Sequence, residues 1–391
     1  MAHSLIPPSS AHIWAPRHGC PGWVAMNQMY PETERSEAAE RGTAAHELAA
    51  RMVEAGACGG AGMPSRSETV ETAATNGIIF DNELFDSAAE YASYVIKLMQ
   101  DRRIFGGDCL GVEARVEAEV IHKDSFGTVD FYLYDKATNE LFIVDLKNGY
   151  GLVEVSENWQ LVNYAYGVLD TLGLLTLPAE TLDAMRLNLV IIQPNGFHRN
   201  GTIRQWCTTL KSVEWMFMEL VEGARRALAA NPETRSGPHC RYCRARHSCP
   251  AALEAGPHLY ESVADVSPLS LTTPQRARMY TYVTRSLSHM RSLAIAFEEQ
   301  LKAAAVAGEI IPGYRMETTT GREVWTKPYS EIAKLGDLLG RELRKDELIT
   351  PTQARKLGVD DSLMSLYANR PTAGVKLIPE NTDQARKVFK S

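Results

Sequence analysis

Residues 127–151, GTVDFYLYDKATNELFIVDLKNGYG, decide the fold. Two apolar runs flank a polar turn, the pattern of a β-hairpin. Each run encloses an aspartate, Asp130 in TVDFYLY and Asp145 in FIVDLKNG, and Lys147 follows two residues after the second. An ionised carboxylate inside a sheet is costly unless it is paired or bound to a metal. Strand alternation sends Asp145 and Lys147 to one face. Adjacent strands let Asp130 converge on them. The LFIV run before Asp145 predicts a strand buried on both faces. Two acids and a lysine suit metal-dependent phosphodiester hydrolysis. The acids would hold Mg2+ or Mn2+, hard cations that favour oxygen ligands. The lysine would orient or deprotonate a water, or stabilise negative charge. Glu113 on the preceding strand offers a third carboxylate, and Glu117 is a weaker candidate. The competing reading is a set of solvated charges on the open face of a hairpin.

Outward from the hairpin, 36–57 is rich in Ala, Glu and Arg and predicts a helix, and 58–77 predicts a loop. Residues 81–106 form a long amphipathic pattern with Leu84, Phe85, Ala88, Ala92, Val95, Ile96 and Met99 on one face. Strands are expected at about 110–120, 126–134 and 140–146. A helix at 156–174 would start at a Ser156 N-cap, a buried strand spans 186–195, and a helix spans 208–231. This order describes an α/β core with a mixed sheet. A linker is expected at 256–274. Beyond it come a long helix or helix pair over 275–309 and a small α+β appendix over 310–391, together one region, 275–391.

The net charge is −7, so nucleic-acid binding would need a local basic patch rather than a global field. The longest apolar stretch is broken by Asp170 and Pro178, which argues against a membrane span. The N-terminus lacks a basic segment followed by an apolar one, so no signal peptide is expected and the cytoplasm is the expected compartment.

Seven cysteines, an odd number, argue against a disulfide framework. Cys240, Cys243 and Cys249 form C-x2-C-x5-C, a spacing that suits zinc or an iron–sulfur cluster. The fourth ligand is open among Cys20, His239 and His247. Arg241, Arg244 and Arg246 crowd the same segment. They could contact DNA phosphates, or offset thiolate charge in a solvated loop.

In order along the chain stand Gly42-x-x-x-His46, GTVD with Asp130, Asp145-Leu-Lys147 and Gln160-x-x-x-Tyr164. This ordered set resembles the RecB-like branch of the PD-(D/E)XK nuclease superfamily over roughly residues 36–195. One departure is Asp145, where many relatives carry Glu. The resemblance implies a restriction-endonuclease-like core and a metal-dependent DNA exonuclease. His46, Asp130, Asp145 and the Leu146 carbonyl would hold the metal, Lys147 would be the catalytic lysine, and Gln160 and Tyr164 would position the DNA strand or the lysine. Some members, the AddB-type helicase-nuclease subunits and the CRISPR-associated adaptation exonucleases, carry one cysteine before the core and three after it. By that resemblance Cys20, Cys240, Cys243 and Cys249 would hold a four-iron four-sulfur cluster that staples the ends of a domain spanning 1–255. Zinc with His247 is the alternative.

The opening SSAHIWAPRHGCPG and the C-terminal tail resemble phage- and prophage-encoded nucleases of this type. That implies a role in phage-type DNA recombination, with a recombination or single-strand-annealing protein as a possible partner and a ring-shaped homo-oligomer as one possible assembly. The alternative function is an inactive DNA-binding or assembly module on a degenerate nuclease fold.

Overall fold

The two apolar runs of the opening stretch form neighbouring strands. In the computed structural model, which describes residues 4–30, 36–60, 62–255, 271–309 and 311, β2 is Phe126–Asp135 and β3 is Glu140–Leu146. The other strands are β1 (Leu110–Glu117), β4 (Arg186–Ile192) and β5 (Ile203–Thr209). Among the described residues they make one mixed sheet in the order β1-β2-β3-β4-β5. Only β3 and β4 run parallel; the other neighbours are antiparallel. That parallel pair requires a crossover, which a helix supplies.

The helices among the described residues include α1 (Ala11–Trp14), α2 (Trp23–Gln28), α3 (Glu37–Ala57), α4 (Arg66–Thr69), α5 (Asn82–Arg102), α6 (Trp159–Thr171), α7 (Ala179–Asp183), α8 (Glu214–Ala227) and a long helix Thr273–Val306. Their ends follow local chemistry. Ser36 caps α3, and Asp81 caps α5 by accepting from the Leu84 N–H at 2.8 Å. Each such cap is worth about 1 kcal/mol. The expected 81–106 helix stops short because Arg103 turns left-handed at φ 56°. The expected Ser156 cap is replaced by Asn158, whose Oδ1 accepts from the Gln160 and Leu161 N–H groups at 3.0 and 3.1 Å.

The sheet is covered on both faces. On one, α3 and α5 pack through Ala45, Leu48, Leu84 and Val95 against Phe131, Phe142, Val144 and Val190. On the other, Trp14, Leu161, Val168, Met216 and Leu220 pack against Tyr132, Ile143, Leu189 and Ile191. Every residue of β3 is buried, as its sequence predicts. Close packing also fixes Gly223 of α8, where a Cβ would meet the Ala15 Cα at 2.6 Å.

Two further expectations change, and one strand breaks its own alternation. Of the segment expected to be one helix over 208–231, Thr208 and Thr209 close edge strand β5, a short turn follows, and α8 begins only at Glu214. An edge strand with one solvated side carries a weak apolar signal. The 58–77 loop contains the short α4 and an isolated bridge from Ala73 to Ile79. The strand that breaks its alternation is β1. Leu110 and Val112 face α3 and α5, but Ala114 and Val116 face α6. β2 changes face in step: Phe131 and Leu133 lie on the α3 side and Val129 on the α6 side. The switch falls at Glu113, a non-glycine residue at φ 43°.

The chain divides into two units, Met1–Arg315 and Met316–Ser391. Most of the expected linker, and the appendix over 310–391 except Ile311, lie outside the described residues. Among the described residues no helix is long and apolar enough to cross a membrane.

Candidate metal centre and cysteine cluster

The face switch of β1 and β2 delivers the acids. Val112 pairs with Phe131 and Ala114 with Val129, so the register sets Glu113 opposite Asp130. A left-handed non-glycine residue is strained, and such strain collects at functional positions. The β2–β3 ladder ends at Phe131–Val144. One step further, Asp130 turns its carboxylate to the Leu146 N–H, which it accepts at 2.7 Å. His46 projects from the middle of α3, and its Nδ1 lies 3.3 Å from both Glu113 Oε1 and Asp130 Oδ1. Ligand atoms of His46, Glu113 and Asp130 all lie within 4.8 Å of one another.

Beside this group stands a second one. Lys147 Nζ is 2.9 Å from Asp145 Oδ2. Gln160, in the first turn of α6, joins the two: its Nε2 donates to Asp145 Oδ1 at 2.9 Å and its Oε1 accepts from Lys147 Nζ at 3.1 Å. Tyr164, one turn further along the same helix, is buried. Gly127 lets the chain close over it, since a Cβ there would sit 3.0 Å from Pro8 and 3.3 Å from the Tyr164 ring. All seven expected residues of the acidic site, from His46 to Tyr164, thus meet at one end of the sheet. Leu146 joins them through its N–H. Glu117 does not; it is exposed and pairs with Arg115.

Charge explains the titration of the group. Burial opposes the imidazolium of His46, but Asp130 and then Glu113 outweigh it and hold its pKa well above the ordinary value. Burial favours neutral Asp130, yet His46, Lys147 and the Leu146 N–H together lower its pKa. Asp145 is pushed up to about 6 by burial and by Asp130, against the pull of Lys147. Burial opposes a charged Lys147, but Asp145 and Asp130 raise its pKa, so it is held as the ammonium. Burial carries Tyr164 far above the usual phenol value, which leaves it a donor rather than a base.

The donor set fits a hard divalent cation: one imidazole and two carboxylates of unlike burial, with a third carboxylate adjacent. His46, Glu113 and Asp130 would hold it, with Asp145 beside them. Glu113 thereby enters the candidate ligand set rather than serving only as an extra acid.

Cysteines from two segments distant in sequence also lie in one another's field. Cys20, Cys240, Cys243 and Cys249 are all buried and unpaired by disulfides. Burial raises the pKa of Cys240 to about 11, and Cys20, Cys243 and Cys249 add to it. Backbone N–H groups point at the sulfurs, from Arg235 to Cys20 and from Gly237 to Cys240, each at 3.3 Å. The Asn27 amide donates to Cys243 at 3.6 Å. The histidines considered as alternative ligands each spend one ring nitrogen on a backbone carbonyl, His239 on Arg235 and His247 on Arg244. Arg246 is spent inside the fold: it bonds the Ser292 and Cys243 carbonyls and pairs with Glu299 at 2.8 Å, fastening the segment to helix Thr273–Val306. Arg241 lies over the exposed Tyr242 ring at 4.7 Å. The Arg244 backbone N–H donates to Asn27 Oδ1 at 3.0 Å.

A family model described as a protein of unknown function (DUF2800) matches residues 3–384. The chain belongs to the DUF2800 family. No curated protein matches it in sequence. The DUF2800 match spans both groups, from Cys20 through His46 and Lys147 to Cys249.

One residue of this DUF2800 site escaped the sequence reading. Tyr91 lies three residues after Ala88 on the buried face of α5, and its phenol sits in the field of Asp130, Glu113 and Asp145. The available signal was a tyrosine at helical spacing within an apolar stripe, which by itself indicates only core.

Proposed function

We propose that the protein is a metal-dependent deoxyribonuclease, an exonuclease on a PD-(D/E)XK core, acting in phage-type DNA recombination or processing. The observation that carries this reading is the convergence of His46, Glu113 and Asp130 within 4.8 Å, next to the bonded set Asp145, Lys147 and Gln160. A bound Mg2+ or Mn2+ would supply Lewis acidity to a phosphoryl oxygen and acidify a coordinated water. The protein groups divide the remaining work. Lys147, cationic beside Asp145, orients the attacking water and offsets charge that grows on the phosphate. Gln160 fixes the Lys147 ammonium, and Tyr164 stands one turn further on the same helix face. Hydrolysis ends with the water oxygen bonded to phosphorus and the leaving strand oxygen protonated.

Four buried cysteines in one another's field support the companion reading, a four-iron four-sulfur cluster that ties residues near 20 to residues near 245. Thiolates crowded together need a cationic centre, and N–H···S bonds suit the charge that remains. Arg241 and Arg244 on that segment are the proposed phosphate contacts.

End-labelled linear and covalently closed circular DNA, incubated with Mg2+ or Mn2+, test the reading. The expected result is stepwise loss of linear DNA, with the circle spared. DNA binding without cleavage under either metal would overturn it in favour of a binding module.

A further inference from the structure

Tyr91 is 2% exposed, and its hydroxyl has no hydrogen-bond acceptor among the described residues. It belongs to the core layer between α3, α5 and the sheet, with Ala45, Ala49 and Phe131. That layer includes the α3 turn that carries His46 and the β2 residue that follows Asp130. A phenylalanine would fill the same space without burying an unpaired hydroxyl, which is unfavourable. Packing therefore accounts for the ring and leaves the O–H unexplained. Burial first, then Asp130, Glu113 and Asp145, push the phenol well above its ordinary pKa, so the group stays a donor in the field of the acids.

We infer that Tyr91 is an outer hydrogen-bond donor of the acidic site, completed by a water that arrives on the divalent cation. This rests on the cation reading of His46, Glu113 and Asp130. Outer-sphere donors hold bound water and ligands in orientation, and their loss typically weakens metal binding by about 10- to 100-fold. Tyr91 is a positioning residue in this scheme: it touches neither the cation nor the phosphate. Tyr94, one turn along the same helix, lies in the field of Cys207 rather than of the acids and supplies a control.

The test uses the full chain as wild type, Tyr91→Phe and Tyr94→Phe. Mn2+ affinity is measured by calorimetry, and thermal unfolding is followed in EDTA. Tyr91→Phe should melt at the wild-type temperature or above it in EDTA, yet bind Mn2+ about 10-fold more weakly. Tyr94→Phe should bind Mn2+ as the wild type does. Unchanged Mn2+ affinity in Tyr91→Phe would overturn the inference. So would a fall of several degrees in EDTA, because it would show that the protein itself satisfies the hydroxyl. A wild type that binds no Mn2+ sinks the cation reading and this inference with it, whereas a wild type that binds Mn2+ equally with Tyr91→Phe sinks this inference alone.

Discussion

His46 Nδ1 and Asp130 Oδ1 stand 3.3 Å apart, joining the middle of α3 to the strand where β1 and β2 change face. The pair makes each partner's charged form the stable one. Asp130→Asn should therefore lower the His46 pKa, since burial would then be opposed by Glu113 alone. An NMR titration of the His46 ring in EDTA reads this directly. A pKa that stays put or rises would contradict the assignment.

Lys147 bonds Asp145 and Gln160 but stands outside the His46, Glu113 and Asp130 group. Lys147→Met should cut DNA cleavage by on the order of 10²- to 10³-fold, the usual cost of one lost charge-stabilising donor. Mn2+ affinity should fall little. Near wild-type cleavage in Lys147→Met would remove the lysine from the chemistry.

Stability in EDTA should depend on pH through Asp145. Its folded pKa is raised, to about 6 against an ordinary 3.8. Its favourable contribution is thus complete below 3.8 and lost as the pH rises through about 6. His46 has the same sign over a higher window that opens at 6.5. Asp130 has the opposite sign, since its pKa is lowered and its contribution is lost as the pH falls. Urea unfolding between pH 4 and pH 6.5 should show Asp145→Asn gaining on the wild type as the pH rises, by at most about 3 kcal/mol. Parallel profiles would contradict the raised value. For the same reason Mn2+ should stabilise the wild type more at high pH, because the cation must displace protons from these groups.

Cys20 is buried against the distant triplet, whereas Cys58 is exposed. Anaerobically purified Cys20→Ser should lose iron and its visible absorbance and melt at a lower temperature. Cys58→Ser should retain both. Zinc in place of iron in the wild type would replace the iron–sulfur reading with the zinc one.

Much of this site could be read from the residues themselves. Asp145 and Lys147 share a face because strands alternate, and a fully apolar LFIV run cannot be a surface strand. Gln160 and Tyr164 share a face because a helix repeats every 3.6 residues. The edge strand β5 escaped because one side of it is wet, and Asn158 took the cap expected at Ser156 because it lies one residue before the helix.

What the sequence alone determined was local: periodicity, spacing and the identity of the donors. Tertiary structure decided where those donors meet. Leu110, Val112, Ala114 and Val116 keep a strict period of two, which by itself puts all four on one face. The structure divides them between two faces, because left-handed Glu113 rotates the strand and Asp130 leaves the ladder opposite it. That turn carries both carboxylates to His46, a helix residue with no local relation to either. Likewise, C-x2-C-x5-C names three sulfurs, but only the packing of residues 20–27 against residues 235–249 sets Cys20 in their field.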